Sequence, residues 1–125
     1  MNIQKVSIIG SGSWGTSIAL AIAENNSDIL VHMWAYEKDV VTEINNNHEN
    51  TVFLPNIPLP KNIISTNNLK ECVKNGDVII FATPSKVLYD IAIKLSHHIK
   101  KTATIGYLTK GFSKIHGEIF TISQT

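Results

Sequence analysis

Val6-Ser7-Ile8-Ile9-Gly10-Ser11-Gly12-Ser13-Trp14-Gly15 runs from an apolar stretch through three spaced glycines into the amphipathic segment Thr16 to Glu24. This order of strand, glycine turn and helix decides the fold, because it opens the βαβ unit of a doubly wound sheet. In that setting the first glycine lets the chain reverse. The second omits a Cβ so that backbone N–H groups approach a pyrophosphate, and the third lets the helix pack closely on the strand. The phosphates then face a helix N-terminus, where unpaired N–H donors and the positive dipole end attract anions without any basic side chain. A glycine turn that holds no ligand is the plainer alternative, and the flanking strand and helix weigh against it.

Apolar runs of strand length alternate with segments of helical period along the rest of the chain. Lys5 to Ile9, Ile29 to Trp34, Val78 to Ala82 and Thr104 to Leu108 are rich in Ile and Val, as strands buried on both faces should be, and Ile63-Ile64 is a shorter candidate. Ile18, Ala19, Ile22 and Ala23 suit a helix lying close on the sheet; Val40, Val41 and Ile44 mark a second. Leu69 and Val73 mark a short third, stopped by Asn75-Gly76, and Val87, Ile91 and Leu95 recur at i, i+4 and i+8 in a fourth. The pattern predicts an α/β fold of Rossmann type: a doubly wound, mostly parallel sheet with helices on both faces, formed by residues 1–125 as one domain. Asn45 to Pro60 is the one long irregular stretch, with Pro55, Pro58 and Pro60 blocking both helix and central strand.

Composition narrows the function classes. With 43% hydrophobic and 17% charged residues the 125-residue chain is no disordered tail, and no apolar run reaches the ~18 residues of a membrane span. A net charge of +1 provides no global field for nucleic acid or an anionic membrane, so an anion site must be local. Cys72 is the single cysteine, no Cys/His spacing suggests a metal, and the sequence runs from Met1-Asn2 into the first strand without a leader, so a reducing cytoplasm is the expected compartment. His97-His98 fall at a helix end and read as solvated, and His48 in the Asn-rich loop reads as structural.

Glu37 stands 22 residues after Gly15, at the end of the second strand, where a carboxylate accepts hydrogen bonds from ribose hydroxyls and repels a 2′-phosphate. Holding that phosphate favours an arginine fork, yet all eleven cations are lysine. The expected cofactor is therefore NAD, with NADP possible through Lys38. Two alternatives stay open: Glu37 as a solvated residue supporting the next helix through its dipole, and Tyr36 either on an adenine ring or plugging the sheet edge.

Together with Gly10 to Thr16, the blocks Met33-Trp34-Ala35-Tyr36-Glu37, Asn47-His48-Glu49-Asn50 followed by Phe53-Leu54-Pro55, Ile80 to Ser85, and Thr109-Lys110-Gly111 resemble the N-terminal cofactor domain of the glycerol-3-phosphate dehydrogenases. The resemblance implies hydride transfer between NAD(H) and glycerone phosphate or sn-glycerol 3-phosphate, in glycerophospholipid precursor metabolism. It implies that Gly10, Ser11, Gly12, Ser13, Trp14 and Gly15 hold the pyrophosphate, with Ser13 and Trp14 touching it most directly. Tyr36 and Glu37 would hold the adenosine end, Thr83, Pro84 and Val87 would line the crevice, and Lys110 would contact both cofactor and substrate. Alone, Lys110 would read as a solvated loop lysine. Two positions depart from the family pattern: Asn56 replaces a frequent glycine after Leu-Pro, and Thr83 a usual valine. The family places its acid–base lysine in a helical second domain, and the complete enzyme is expected to be a homodimer; Lys114 to Thr125 reads as the start of a further helix and strand, and no catalytic residue is assigned within these 125 residues. The rival readings are another dehydrogenase of related fold and a non-enzymatic NAD-binding regulatory domain.

Overall fold

The computed structural model of the chain describes residues 2–83 and 85–107, with residues 85–87 described by their backbone alone. The elements are β1 (Lys5–Ile9), α1 (Ser13–Asn25), β2 (Leu30–Trp34), α2 (Lys38–Asn47), β3 (Ile63–Thr66), α3 (Leu69–Val73), β4 (Val78–Phe81), α4 (Ser85–Leu95) and β5 (Thr104–Tyr107). All strand pairs are parallel, and the sheet order is β3-β2-β1-β4-β5. The chain winds outward from β1 to β3 and then crosses back to β4 on the other side of β1. The switch point of the sheet therefore lies between the carboxyl ends of β1 and β4, where doubly wound sheets bind ligands.

Each strand divides its side chains between two cores, as a sheet covered on both faces requires. Val6 and Ile8 of β1 join Val31, Met33 and Ile63 under α1 and α2, while Ile9 joins Ile79 and Phe81 under α3 and α4. Ala19 and Ala23 are buried on α1, small enough to bring the helix axis close to the strands. Residues 45–47, expected in the loop, are instead the last turn of α2. Three consecutive asparagines are weak helix formers, but Asn45 is held from outside the helix: its Nδ2 donates to the Ser65 carbonyl at 2.9 Å and its Oδ1 accepts from the Ser65 N–H at 2.8 Å. The short candidate at Ile63-Ile64 extends to Thr66, and the expected end of the fifth strand at Leu108 lies outside the described residues.

The α3 face carries a polar layer. Ser7 pairs in register with His32; its hydroxyl donates to the Cys72 carbonyl at 2.6 Å, and the Cys72 thiol donates to the His32 carbonyl at 3.2 Å. His32 is buried, with Nδ1 unpartnered and Nε2 3.9 Å from a Glu71 carboxylate oxygen. Burial, and secondarily the Lys5 cation, lower its pKa to about 4 against the opposing pull of Glu71. Burial likewise pushes the Cys72 thiol up to about 12, so it is an inert core group.

His32 binds its proton more readily in the unfolded chain than in the folded one, so its contribution is complete above pH 6.5 and is lost as pH falls from 6.5 towards 4. Unfolding free energies from urea titrations across that window should fall by on the order of 2 kcal/mol, and His32→Gln should remove most of the slope. Asp77, held near 2 by the Lys100 ammonium and by the N–H groups of Gln4 and Lys5, titrates below the window.

Candidate functional site

β1 ends where Gly10 takes φ 130°, a backbone conformation that L side chains rarely adopt. A Cβ placed on Gly10 would stand 2.6 Å from the Ala82 carbonyl oxygen, at the end of β4. One on Gly15 would run into the Gly10 carbonyl and approach the Ala82 Cβ to 3.3 Å. The fold itself therefore requires these two glycines. Gly12 is different. Its φ of −75° and ψ of −168° suit any residue, and, its chain neighbours aside, no atom of the described residues lies within 4 Å of where its Cβ would be. What its missing side chain leaves is open space in front of a helix.

That helix, α1, starts with no side-chain cap and no acidic residue in its first turn. The Thr16 N–H bonds to the Gly12 carbonyl at 2.9 Å, which leaves the N–H groups of Ser13, Trp14 and Gly15 ahead of the helical ladder. Bare donors, the positive end of the helix dipole and an empty Cβ position form a cradle that fits a pyrophosphate. The hydroxyls of the loop look elsewhere. Ser11 Oγ donates to the Trp34 carbonyl at 2.9 Å and Ser13 Oγ to the Phe53 carbonyl at 2.8 Å, so both residues offer an anion their backbone rather than their side chains. Trp14 is 56% exposed at the rim.

At the end of β2, Tyr36 is 80% exposed and meets Trp34 edge-on with ring centroids 6.4 Å apart, so it does not plug the sheet. Glu37 is the N-cap residue of α2 and exposed, yet its carboxylate makes no capping hydrogen bond. Trp34, Tyr36, Glu37, Lys38, Asp39, Asn67 and Leu69 line an open concavity of about 690 Å³. Asn67 joins it from the β3–α3 connection and Leu69 from the start of α3, and nothing in their sequence spacing signals this. Across the switch point, Thr83 is buried with Oγ1 unpartnered, and its Cγ2 would lie 3.4 Å from a Cβ on Gly10. Pro84, the Val87 side chain and Lys110 lie outside the described residues.

The sequence marks Asn50 only as part of a block, and the structure places it at the back of the cradle. It is fully buried, and Nδ2 donates to both the Ser11 carbonyl and Thr16 Oγ1 at 2.9 Å. His48 and Asn56 bracket this segment with φ 56° and 65°. Asparagine tolerates the left-handed region better than most residues, which accounts for Asn56 where glycine is frequent. Among the described residues no three His, Cys, Asp or Glu side chains are placed to share a metal ion, and no helix is long and apolar enough to cross a membrane.

A parallel sheet ordered 3-2-1-4-5, with a glycine cradle between β1 and α1 and an exposed carboxylate after β2, defines a dinucleotide-binding domain of Rossmann type. Residues 5–124 match the family described as NAD-dependent glycerol-3-phosphate dehydrogenase N-terminus, and the chain belongs to that family. It is 38% identical over 109 residues to glycerol-3-phosphate dehydrogenase [NAD(P)+] of Bacillus subtilis, covering 87% of this chain and 31% of that protein. With glycerol-3-phosphate dehydrogenase [NAD(+)] 1 of Zygosaccharomyces rouxii the identity is 38% over 122 residues, 89% of this chain and 30% of the relative. The solved glycerol-3-phosphate dehydrogenase of Saccharomyces cerevisiae superimposes with a TM-score of 0.79 at 34% identity, over 88% of this chain and 34% of that one. The chain thus spans about a third of the length of the relatives it matches. Prephenate dehydrogenase from A. aeolicus, at 16% identity and a TM-score of 0.68, shares the fold alone.

The three glycines should separate by experiment. Gly10→Ala and Gly15→Ala should each lower stability by about 2–4 kcal/mol, since the added Cβ meets backbone that cannot yield. Gly12→Val should stay within about 1 kcal/mol of the parent in urea unfolding and yet lose dinucleotide affinity in calorimetry.

Proposed function

We propose that this chain is the cofactor-binding part of a glycerol-3-phosphate dehydrogenase, an oxidoreductase that moves hydride between NAD(H) and glycerone phosphate or sn-glycerol 3-phosphate. The single observation that carries the reading is the cradle at Gly12, open and lined by unpaired N–H donors, in a chain that belongs to this family. The N–H groups from Ser11 to Gly15 would hold the pyrophosphate, and Gly10 would bring them to it. Tyr36 would lie against the adenine and Glu37 accept from the ribose hydroxyls. Thr83, Pro84 and Val87 would wall the crevice at the switch point, and Lys110 would reach the nicotinamide side of the cofactor and the substrate phosphate. When bound, the nicotinamide supplies the hydride chemistry; the residues here bind and orient it.

An exposed Glu37 carboxylate and a chain without arginine favour NAD over NADP. The proton donor and most substrate contacts would come from a helical second domain, within a cytoplasmic homodimer that serves glycerophospholipid precursor synthesis. No observation favours the regulatory-domain alternative, and family membership speaks for the enzyme.

Calorimetric titration of the 125-residue chain should show NADH binding more tightly than NADPH, and Glu37→Arg should narrow or reverse the difference. Equal affinities in the unvaried chain would mean that Glu37 does not select the cofactor. Mixed with saturating NAD and glycerol 3-phosphate, the same chain should form no measurable NADH, because acid–base assistance worth roughly 10²–10⁴ in rate, and substrate positioning besides, are missing. Turnover abolished by Gly12→Trp would place the catalytic base inside these residues instead.

A further inference from the structure

Asn50 is completely buried and its Oδ1 has no hydrogen-bond partner among the described residues. An unpaired buried carbonyl is unfavourable, and a leucine of similar volume would avoid it, so the position is there for what Nδ2 does. Both amide hydrogens of Nδ2 are engaged, one at the Ser11 carbonyl and one at Thr16 Oγ1, each at 2.9 Å. Thr16 Oγ1 in turn donates to the same Ser11 carbonyl at 3.1 Å, which closes a triangle. The Ser11 carbonyl is thereby fixed by two donors on the buried side of the loop.

The peptide that follows is planar and trans, so its N–H is antiparallel to its C=O. With the Ser11 carbonyl drawn inward, the Gly12 N–H is turned outward, to the side where a Gly12 Cβ would meet nothing within 4 Å. We infer that Asn50, through Ser11 and with Thr16, is a positioning residue that aims the Gly12 N–H at a bound pyrophosphate. This rests on the cradle reading given above and adds to it a residue distant in sequence. The surrounding segment supports the role. Ser13 Oγ ties the start of α1 to the Phe53 carbonyl, and Glu43 of α2 receives the N–H and hydroxyl of Thr51 at 2.9 and 2.8 Å, so the strap that carries Asn50 is anchored to both helices just after it.

The test compares ADP, which carries the pyrophosphate, with adenosine, which lacks it, by calorimetry or ligand-observed NMR on the 125-residue chain. Asn50→Ala and Thr16→Val should each weaken ADP and NADH by about tenfold while leaving adenosine unchanged. Glu43→Gln, which loosens the strap without touching Ser11, should lower the melting temperature and keep the ratio of ADP to adenosine affinity. ADP and adenosine weakening together in the first two variants, or neither weakening, overturns the inference. If Asn50→Ala does not fold, Thr16→Val decides alone, since it keeps the side-chain shape and removes both the acceptor for Asn50 and the second donor to Ser11. An unvaried chain that binds adenosine but gains nothing from the pyrophosphate would overturn the cradle reading itself.

Discussion

Three pieces of backbone converge where β1 ends: the turn at Gly10, the first helical turn at Gly15 and the end of β4 at Ala82. Their separations are so short that a methyl group on either glycine would overlap a carbonyl, and no side-chain adjustment relieves an overlap with backbone. This contact sets the distance between α1 and the sheet, which Ala19 and Ala23 then maintain along the helix. It also joins the two halves of the sheet, because β4 is the strand that begins the return across β1. A site built at this point is rigid for reasons that have nothing to do with a ligand.

From that contact the electrostatics follow without any cation. The helix starts close to the strand ends, unsupported by a capping side chain or an acid, and its donors face outward. The hydroxyls that would compete for them are tied to Trp34 and Phe53. On the α3 face a histidine and a serine of the sheet are buried against a thiol of the short helix, and the Ser7 hydroxyl and the Cys72 thiol use their hydrogen bonds to hold α3 to the strands. The two faces thus divide the work, one carrying the cradle and the other a polar layer whose histidine is kept neutral by burial.

The sheet, its parallel sense and the cradle were legible because each has a local signature: apolar runs of strand length, helical periods between them, and glycines at fixed offsets. What spacing could not show was the partner of each group. The last turn of α2 looked like loop because Asn45 to Asn47 are poor helix formers, and the bonds to Ser65 that hold it come from 20 residues away. Asn67 and Leu69 line the concavity with Glu37 only because β3 pairs beside β2. Asn50 belonged to a recognisable block, but its role depends on which carbonyl it meets 39 residues upstream. Glu37 and Tyr36 each carry two readings; the exposed ring of Tyr36 removes the one in which it plugs the sheet edge, whereas an exposed carboxylate at the N-cap of α2 is compatible with both readings of Glu37.

The two ends of the site are built from different materials, and this bears on how such a domain can change. The loop between β1 and α1 is shaped by backbone, fixed by contacts that admit only glycine at Gly10 and Gly15. The concavity after β2 carries on its rim exposed side chains that the core does not require: Tyr36, Glu37 and Lys38 are all exposed. A change of charge at Glu37 leaves the packing beneath it in place. The charge of the rim and the open space at Gly12 are therefore separable from the fold, whereas Gly10 and Gly15 are not, and the close approach of Gly10 to Ala82 is the physical reason for the difference.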